Sequence, residues 1–129
     1  MSDLHVVLGA GPVGQALVES LRADDLPVRV ATRSGTRVAD AEVLRADISD
    51  PAGATRACAG AAVVYACVGL DYTGWPERWP PMMAGMLAGA TVAGARLVFM
   101  DNLYMYGPVE GPMREEMPLT AYSRKPAHR

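Results

Sequence analysis

The amino-acid sequence predicts an α/β protein, a doubly wound parallel sheet of about five strands in one domain. Three observations carry this. Short runs rich in Val, Leu and Ala alternate with helical patterns from one end of the chain to the other. Those runs are apolar throughout rather than alternating, as strands covered on both faces are. The 129 residues, 50% of them apolar and 20% charged, suffice for one core of ordinary composition but are short for two lobes.

The elements follow in order. Leu4–Leu8 (LHVVL) reads as the first strand. Pro12 opens a helix to about Ala23, because the first helical position needs no N–H donor. Pro27–Thr32 and Glu42–Asp47 are the second and third strands. Asp50 is the expected N-cap of a short helix that Gly60 closes. Residues 61–68 (AAVVYACV) form the fourth strand, Pro80 to about Gly94 a helix, and Ala95–Asp101 the fifth strand. After Gly107 the Pro- and charge-rich GPVEGPMREEMPLT reads as a surface loop, which divides the chain into a folded unit, 1–107, and a loop and tail, 108–129. The uncharged stretch from Trp79 to Ala95 is too short and too mixed to span a membrane, and a buried helix explains it better. Met82, Met83, Met86, Met100 and Met105 read as core filler. Gly85 and Gly89 allow close approach of that helix, most simply to the sheet.

Charge excludes some partners. A net charge of -2 gives no electrostatic footprint for nucleic acid or an anionic membrane. Cys58 and Cys67 are the only cysteines, and the N-terminus shows no basic and apolar leader, which points to a reducing, cytoplasmic setting. His5 and His128 stand alone, so no metal site is indicated. Eleven of the twelve basic residues are Arg, the exception being Lys125, so an arginine carries meaning only where a motif places it.

One motif does so. Gly9-Ala10-Gly11-Pro12-Val13-Gly14 fits G-x-G-x-x-G between the first strand and the first helix. That pattern suits a tight turn, close backbone approach to a pyrophosphate and close packing of helix on sheet, with the helix N-terminus presenting N–H groups to the phosphates. The other reading is a turn that serves structure alone. At the end of the second strand, where an acidic residue would bond the ribose 2′-OH of NAD, stand Thr32, Arg33 and Ser34. Arg33 is therefore a candidate ligand of the 2′-phosphate of NADP, with Ser34 and Arg37 as helpers, against the reading of a solvated loop arginine. NADP is the expected cofactor, with NAD as the alternative.

Further landmarks come in sequence: LRADISDP after the third strand, VVYACVGLDYTGWPERWP along and after the fourth, LVFMDNLYMYGP at the fifth. With GAGPVG they resemble the extended and atypical short-chain dehydrogenases/reductases, the NAD-dependent epimerase/dehydratase family, from Leu4 to about Met117. The resemblance implies a Rossmann-like fold, a nicotinamide dinucleotide and hydride transfer at a sugar or related carbonyl. By position it implies that Asp47 meets the adenine amino group with Ile48 beside it, and that Ala66 and Val68 lie along the cofactor. Asn102 stands where active members carry the Ser or Thr that bonds the substrate oxygen.

The family pairs a catalytic Tyr with a Lys four residues on, which lowers the phenol's pKa. Here the corresponding pair is Tyr122 and Lys125, three apart, and Pro126 biases Lys125 away from helix. Tyr104 offers a second hydroxyl, or simple packing. Family members pair as dimers through helices and continue into a C-terminal substrate lobe. The chain is expected to lack that lobe, to leave the edge of its fifth strand open and to be inactive alone. Two functions stay open: an NADP(H)-dependent oxidoreductase or epimerase, and a non-catalytic dinucleotide-binding or redox-sensing module. The substrate is unassigned.

Overall fold

The computed structural model describes residues 3–120. Five parallel strands, β1 (Leu4–Leu8), β2 (Val28–Thr32), β3 (Glu42–Arg45), β4 (Ala61–Ala66) and β5 (Arg96–Phe99), lie in the order β3-β2-β1-β4-β5. The helices are α1 (Pro12–Ala23), α2 (Pro51–Cys58) and α3 (Trp75–Ala93), followed by a 3₁₀ turn at Tyr104–Tyr106. From β1 the chain builds outward through β2 and β3, then crosses to β4 and β5 on the other side. This is the doubly wound, Rossmann-like arrangement, and its switch point lies at the carboxyl ends of β1 and β4.

Strand alternation divides the core. Val6 and Leu8 of β1 and Val64 and Ala66 of β4 point to one face, where Ala54, Ala57 and Cys58 of α2 and Met86 and Ala90 of α3 cover them. Val7, Val28 and Val30 point to the other face and meet Val18 and Leu21 of α1. Val6, Val7 and Leu8 are fully buried, and each such side chain contributes about 1.5–3 kcal/mol to folding. The central strand is thereby the best anchored element, and the loop that leaves it inherits that rigidity.

Helix α2 begins as its sequence predicts: the Asp50 side chain accepts the Gly53 N–H at 3.0 Å. Helix α3 does not. It starts at Trp75 rather than Pro80, five residues early, and carries Pro80 and Pro81 inside it. Each proline removes an N–H donor from the helix interior. The aromatic side chains outweigh this loss. Trp75 and Trp79 are both buried and stack with ring centroids 5.6 Å apart, Trp79 meets Phe99 edge-on at 6.1 Å, and the Trp75 indole N–H donates to the Leu70 carbonyl at 3.0 Å.

Nor is α3 buried all round, since Leu87 and Val92 are exposed. Its glycines face α2 rather than the sheet. A methyl group at Gly85 would land on the Ile48 carbonyl oxygen, and one at Gly89 would come within 2.8 Å of the Ala54 carbonyl oxygen and the Cys58 Sγ.

Strands β3, β4 and β5 each end two residues before their sequence limits, and the residues that follow β3 and β4 turn into the cleft described below. Beyond β5, Met100 is exposed rather than part of the core. Among the described residues β5 pairs with β4 alone. The segment 108–120 folds back on the 3₁₀ turn: the Thr120 hydroxyl donates to the Tyr106 carbonyl at 2.6 Å. No helix among the described residues is long and apolar enough to cross a membrane.

Candidate functional site

A cleft of about 820 Å³ opens at the carboxyl ends of the strands. Its walls are the glycine loop after β1, the loop after β2, the residues after β3, the end of β4 with the turn beyond it, and the first turns of α3. This is the switch-point position at which open α/β sheets take their ligands.

The three glycines of the loop do three different things. Gly9 has a φ of +99°, and a Cβ there would stand 2.9 Å from the Cys67 carbonyl oxygen, so only glycine makes the turn off β1 beside β4. Gly14 lies behind the loop, where a Cβ would strike the Gly9 carbonyl oxygen, which lets α1 close on the sheet. Gly11 lines the cleft, and a Cβ added to it would meet nothing within 4 Å. The absent side chain there faces open space, as close approach of a pyrophosphate requires. Pro12 and Val13 form the first turn of α1, whose opening intrahelical bond runs from the Gln15 N–H to the Gly11 carbonyl at 2.9 Å. The N–H groups of Val13 and Gly14 are thus unpaired within the helix, at its positive dipole end. The cradle fits an anionic dinucleotide.

After β2 the Thr32 hydroxyl accepts the N–H groups of Gly35 and Thr36 at 2.9 and 3.0 Å, and so folds Arg33 and Ser34 onto the cleft wall. Ser34 and Thr36 share a hydroxyl hydrogen bond of 2.7 Å. Arg33 is exposed and its guanidinium makes no hydrogen bond or salt bridge among the described residues. Arg37 is not part of the wall.

Asp47, after β3, accepts both the Ser49 hydroxyl (2.6 Å) and the Ser49 N–H (3.0 Å) on Oδ1. These bonds, helped by the charges of Arg33 and Arg78, hold its carboxyl below the usual carboxylate range. Asp47 is exposed and its Oδ2 carries no hydrogen bond among the described residues, while Ile48 beside it is buried.

At β4 the structure separates two residues that the sequence paired. Val68 lines the cleft, whereas Ala66 is 1% exposed and belongs to the core; Cys67 stands on the wall in its place. Burial pushes the Cys67 thiol up. Glu77, Arg78, Pro81 and Met82 of α3 also line the cleft, and sequence reasoning missed them. The signal was present as Gly74 before Trp75-Pro76, a proline in the first helical turn, but Pro80 and Pro81 obscured it.

The β5 end lies apart from this wall. Asn102 Oδ1 accepts the Tyr104 N–H at 3.0 Å, which leaves its Nδ2 as the remaining donor. Tyr104 is exposed and its hydroxyl meets that of Tyr72 at 2.9 Å. The His5 Nδ1 lies 2.9 Å from the Tyr65 hydroxyl. Tyr122, Lys125 and His128 fall outside the described residues.

Comparison with known proteins agrees with this geometry. The family model described as NAD(P)H-binding matches residues 9–128. Among solved structures, UDP-galactose 4-epimerase is 26% identical with a TM-score of 0.82, over 97% of this chain and 47% of that one. Two more share the fold. A short-chain dehydrogenase/reductase superfamily protein from Agrobacterium tumefaciens with bound NAD is 22% identical (TM-score 0.77; 97% of this chain, 41% of that one). Uronate dehydrogenase from the same organism is 18% identical (TM-score 0.82; 98% and 51%). The chain thus spans about half, or less, of the length of the structures it matches. No curated protein matches it.

Proposed function

The chain belongs to the NAD(P)H-binding family, and on that premise we propose that it holds NADP(H) for hydride transfer at the carbonyl carbon of a sugar or related substrate. The observation that carries the choice of cofactor is Arg33, a guanidinium without a hydrogen-bonded partner at the end of β2, where no carboxylate stands to meet a ribose 2′-OH. Bound in the cleft, the nicotinamide supplies or accepts the hydride. The chain's own residues do the rest. The loop of Gly9 and Gly11, with the first turn of α1, takes the pyrophosphate. Asp47 accepts the adenine amino group on Oδ2 and stays ionised throughout the neutral range.

At the other end Asn102 donates from Nδ2 to the substrate oxygen, a role supported by the bond that commits its Oδ1 to Tyr104. Tyr122, with Lys125 three residues on in the sequence, is the candidate to move the proton. The exposed Leu87 and Val92 of α3 are consistent with dimerisation through helices.

The test is titration with NADPH and NADH, followed by the same with Arg33→Ala. NADPH should bind at least tenfold more tightly, and the variant should lose that margin while keeping its NADH affinity. Equal affinities in the wild type would remove the NADP assignment. A second reading, a non-catalytic dinucleotide-binding module, draws on the spacing of three between Tyr122 and Lys125 and on Pro126 after them. Single-turnover oxidation of bound NADPH by any member of a panel of sugar carbonyls would favour hydride transfer over the module.

A further inference from the structure

Arg78 sits in the first turn of α3, where the positive end of the helix dipole disfavours a cation and suits a carboxylate such as its neighbour Glu77. Its N–H makes the first bond of the helix, to the Gly74 carbonyl at 2.9 Å. Gly74, at a φ of +80°, has no side chain, and the Arg78 stem lies over it, with Cδ 3.5 Å from where a Cβ would stand. The side chain is exposed on the cleft wall.

Four other arginines among the described residues have partners. Arg22 forms a salt bridge with Asp40 and Arg29 with Glu42, while Arg45 and Arg56 donate to backbone carbonyls. The two on the cleft wall, Arg33 and Arg78, make neither kind of bond with their guanidinium groups. Both line the cleft together with Asp47, one after β2 and one from α3, and the charge of each reaches the Asp47 carboxyl. Asp47 hydrogen-bonds to neither of them, and its Oδ1 is held by Ser49.

Two guanidiniums without hydrogen-bonded partners on the wall of one cleft, both close enough to act on Asp47, favour a ligand group carrying more than one negative charge, and guanidinium matches phosphate in geometry as well as charge. We propose that Arg78 is the second arm of an anion subsite at the adenosine end of the cleft, closing from α3 on the 2′-phosphate that Arg33 and Ser34 meet from β2. This rests on the NADP(H) reading above and extends it to a residue remote in sequence from the β2 loop.

The probes are 2′,5′-ADP and 5′-AMP, which share the adenosine and the 5′-phosphate and differ only in the 2′-phosphate. Calorimetric titration of the full chain should show at least tenfold tighter binding of 2′,5′-ADP. Arg78→Gln should weaken 2′,5′-ADP about tenfold, leave 5′-AMP within twofold and flatten the salt dependence of the former. Arg78→Lys, which keeps the charge and the stem, should restore part of the loss. If the wild type does not prefer 2′,5′-ADP, or binds neither probe, the NADP(H) reading fails and this proposal with it. If the wild type shows the preference and Arg33→Ala abolishes it, but Arg78→Gln leaves both affinities unchanged or lowers both equally, the NADP(H) reading stands and the role of Arg78 is overturned.

Discussion

In β1 the side chains of Val6, Val7 and Leu8 are fully buried, with α1 on one face of the sheet and α2 and α3 on the other. In β5, two strands away, Leu97 and Phe99 pack towards α3 while Val98 is 44% exposed on the opposite face, with Met100 beyond it 55% exposed. The same parallel ladder is therefore closed on both faces at its centre and on one face at its edge. The cleft is built on the closed part: Gly9, Gly14 and the Cys67 carbonyl fit one another with no room for an added atom. The group expected to meet the substrate, Asn102, stands on the less covered part, held by one side-chain bond to a backbone N–H.

This contrast can be broken or sharpened by mutation. The largest effect is expected at Gly14. Gly14→Ala drives a methyl group into the Gly9 carbonyl oxygen and should destabilise the fold by about 3 kcal/mol, read as a shift in the urea midpoint. A mild effect there would mean that α1 can move away from the loop, and the closed half would be less rigid than described. Next is a matched pair on neighbouring strands. Val64→Ala, at a fully buried position, should cost about 2 kcal/mol, and Val98→Ala about 0.5 kcal/mol or less. Equal losses would show that Val98 is covered in solution.

The smallest effect concerns pH. The Asp47 carboxyl has a folded pKa lowered from 3.8, chiefly by its bonds from Ser49. Its contribution to stability is therefore complete above 3.8 and is lost as the pH falls through the lower folded value. Asp47→Asn should be slightly less stable than the wild type at pH 7, with the difference fading in strong acid. A difference that grew as the pH fell would contradict the assigned direction.

The central part of this architecture is legible in the sequence for a physical reason. Apolar runs, Pro12 at a helix start, Asp50 as an N-cap and three spaced glycines are local signals, and local chemistry decides those elements. The residues that sequence reasoning misplaced depend on distant partners. The start of α3 is set by Trp75 and Trp79 finding Leu70 and Phe99, which no helix rule applied to Pro80 and Pro81 could show. Gly85 and Gly89 suggest close approach, but only the fold reveals that α2 is the neighbour. Ala66 and Cys67 exchange places because the side chains of adjacent strand residues point to opposite faces, and a one-residue offset moves a side chain from core to wall. Arg78 was unreadable as a site residue for the same reason: its place on the cleft depends on where α3 begins.

The measurement that bears most directly on the whole account is titration of the folded chain with NADPH, run alongside Gly11→Val. Gly11 has an ordinary φ of -73° and open space where a side chain would stand, so the variant should keep the wild-type melting temperature. If the loop cradles a pyrophosphate, the wild type binds and the variant loses at least tenfold in affinity, a loss of about 1.4 kcal/mol or more. Equal binding by both proteins, or none by a folded wild type, would contradict it and leave the glycines as a turn between a strand and a helix.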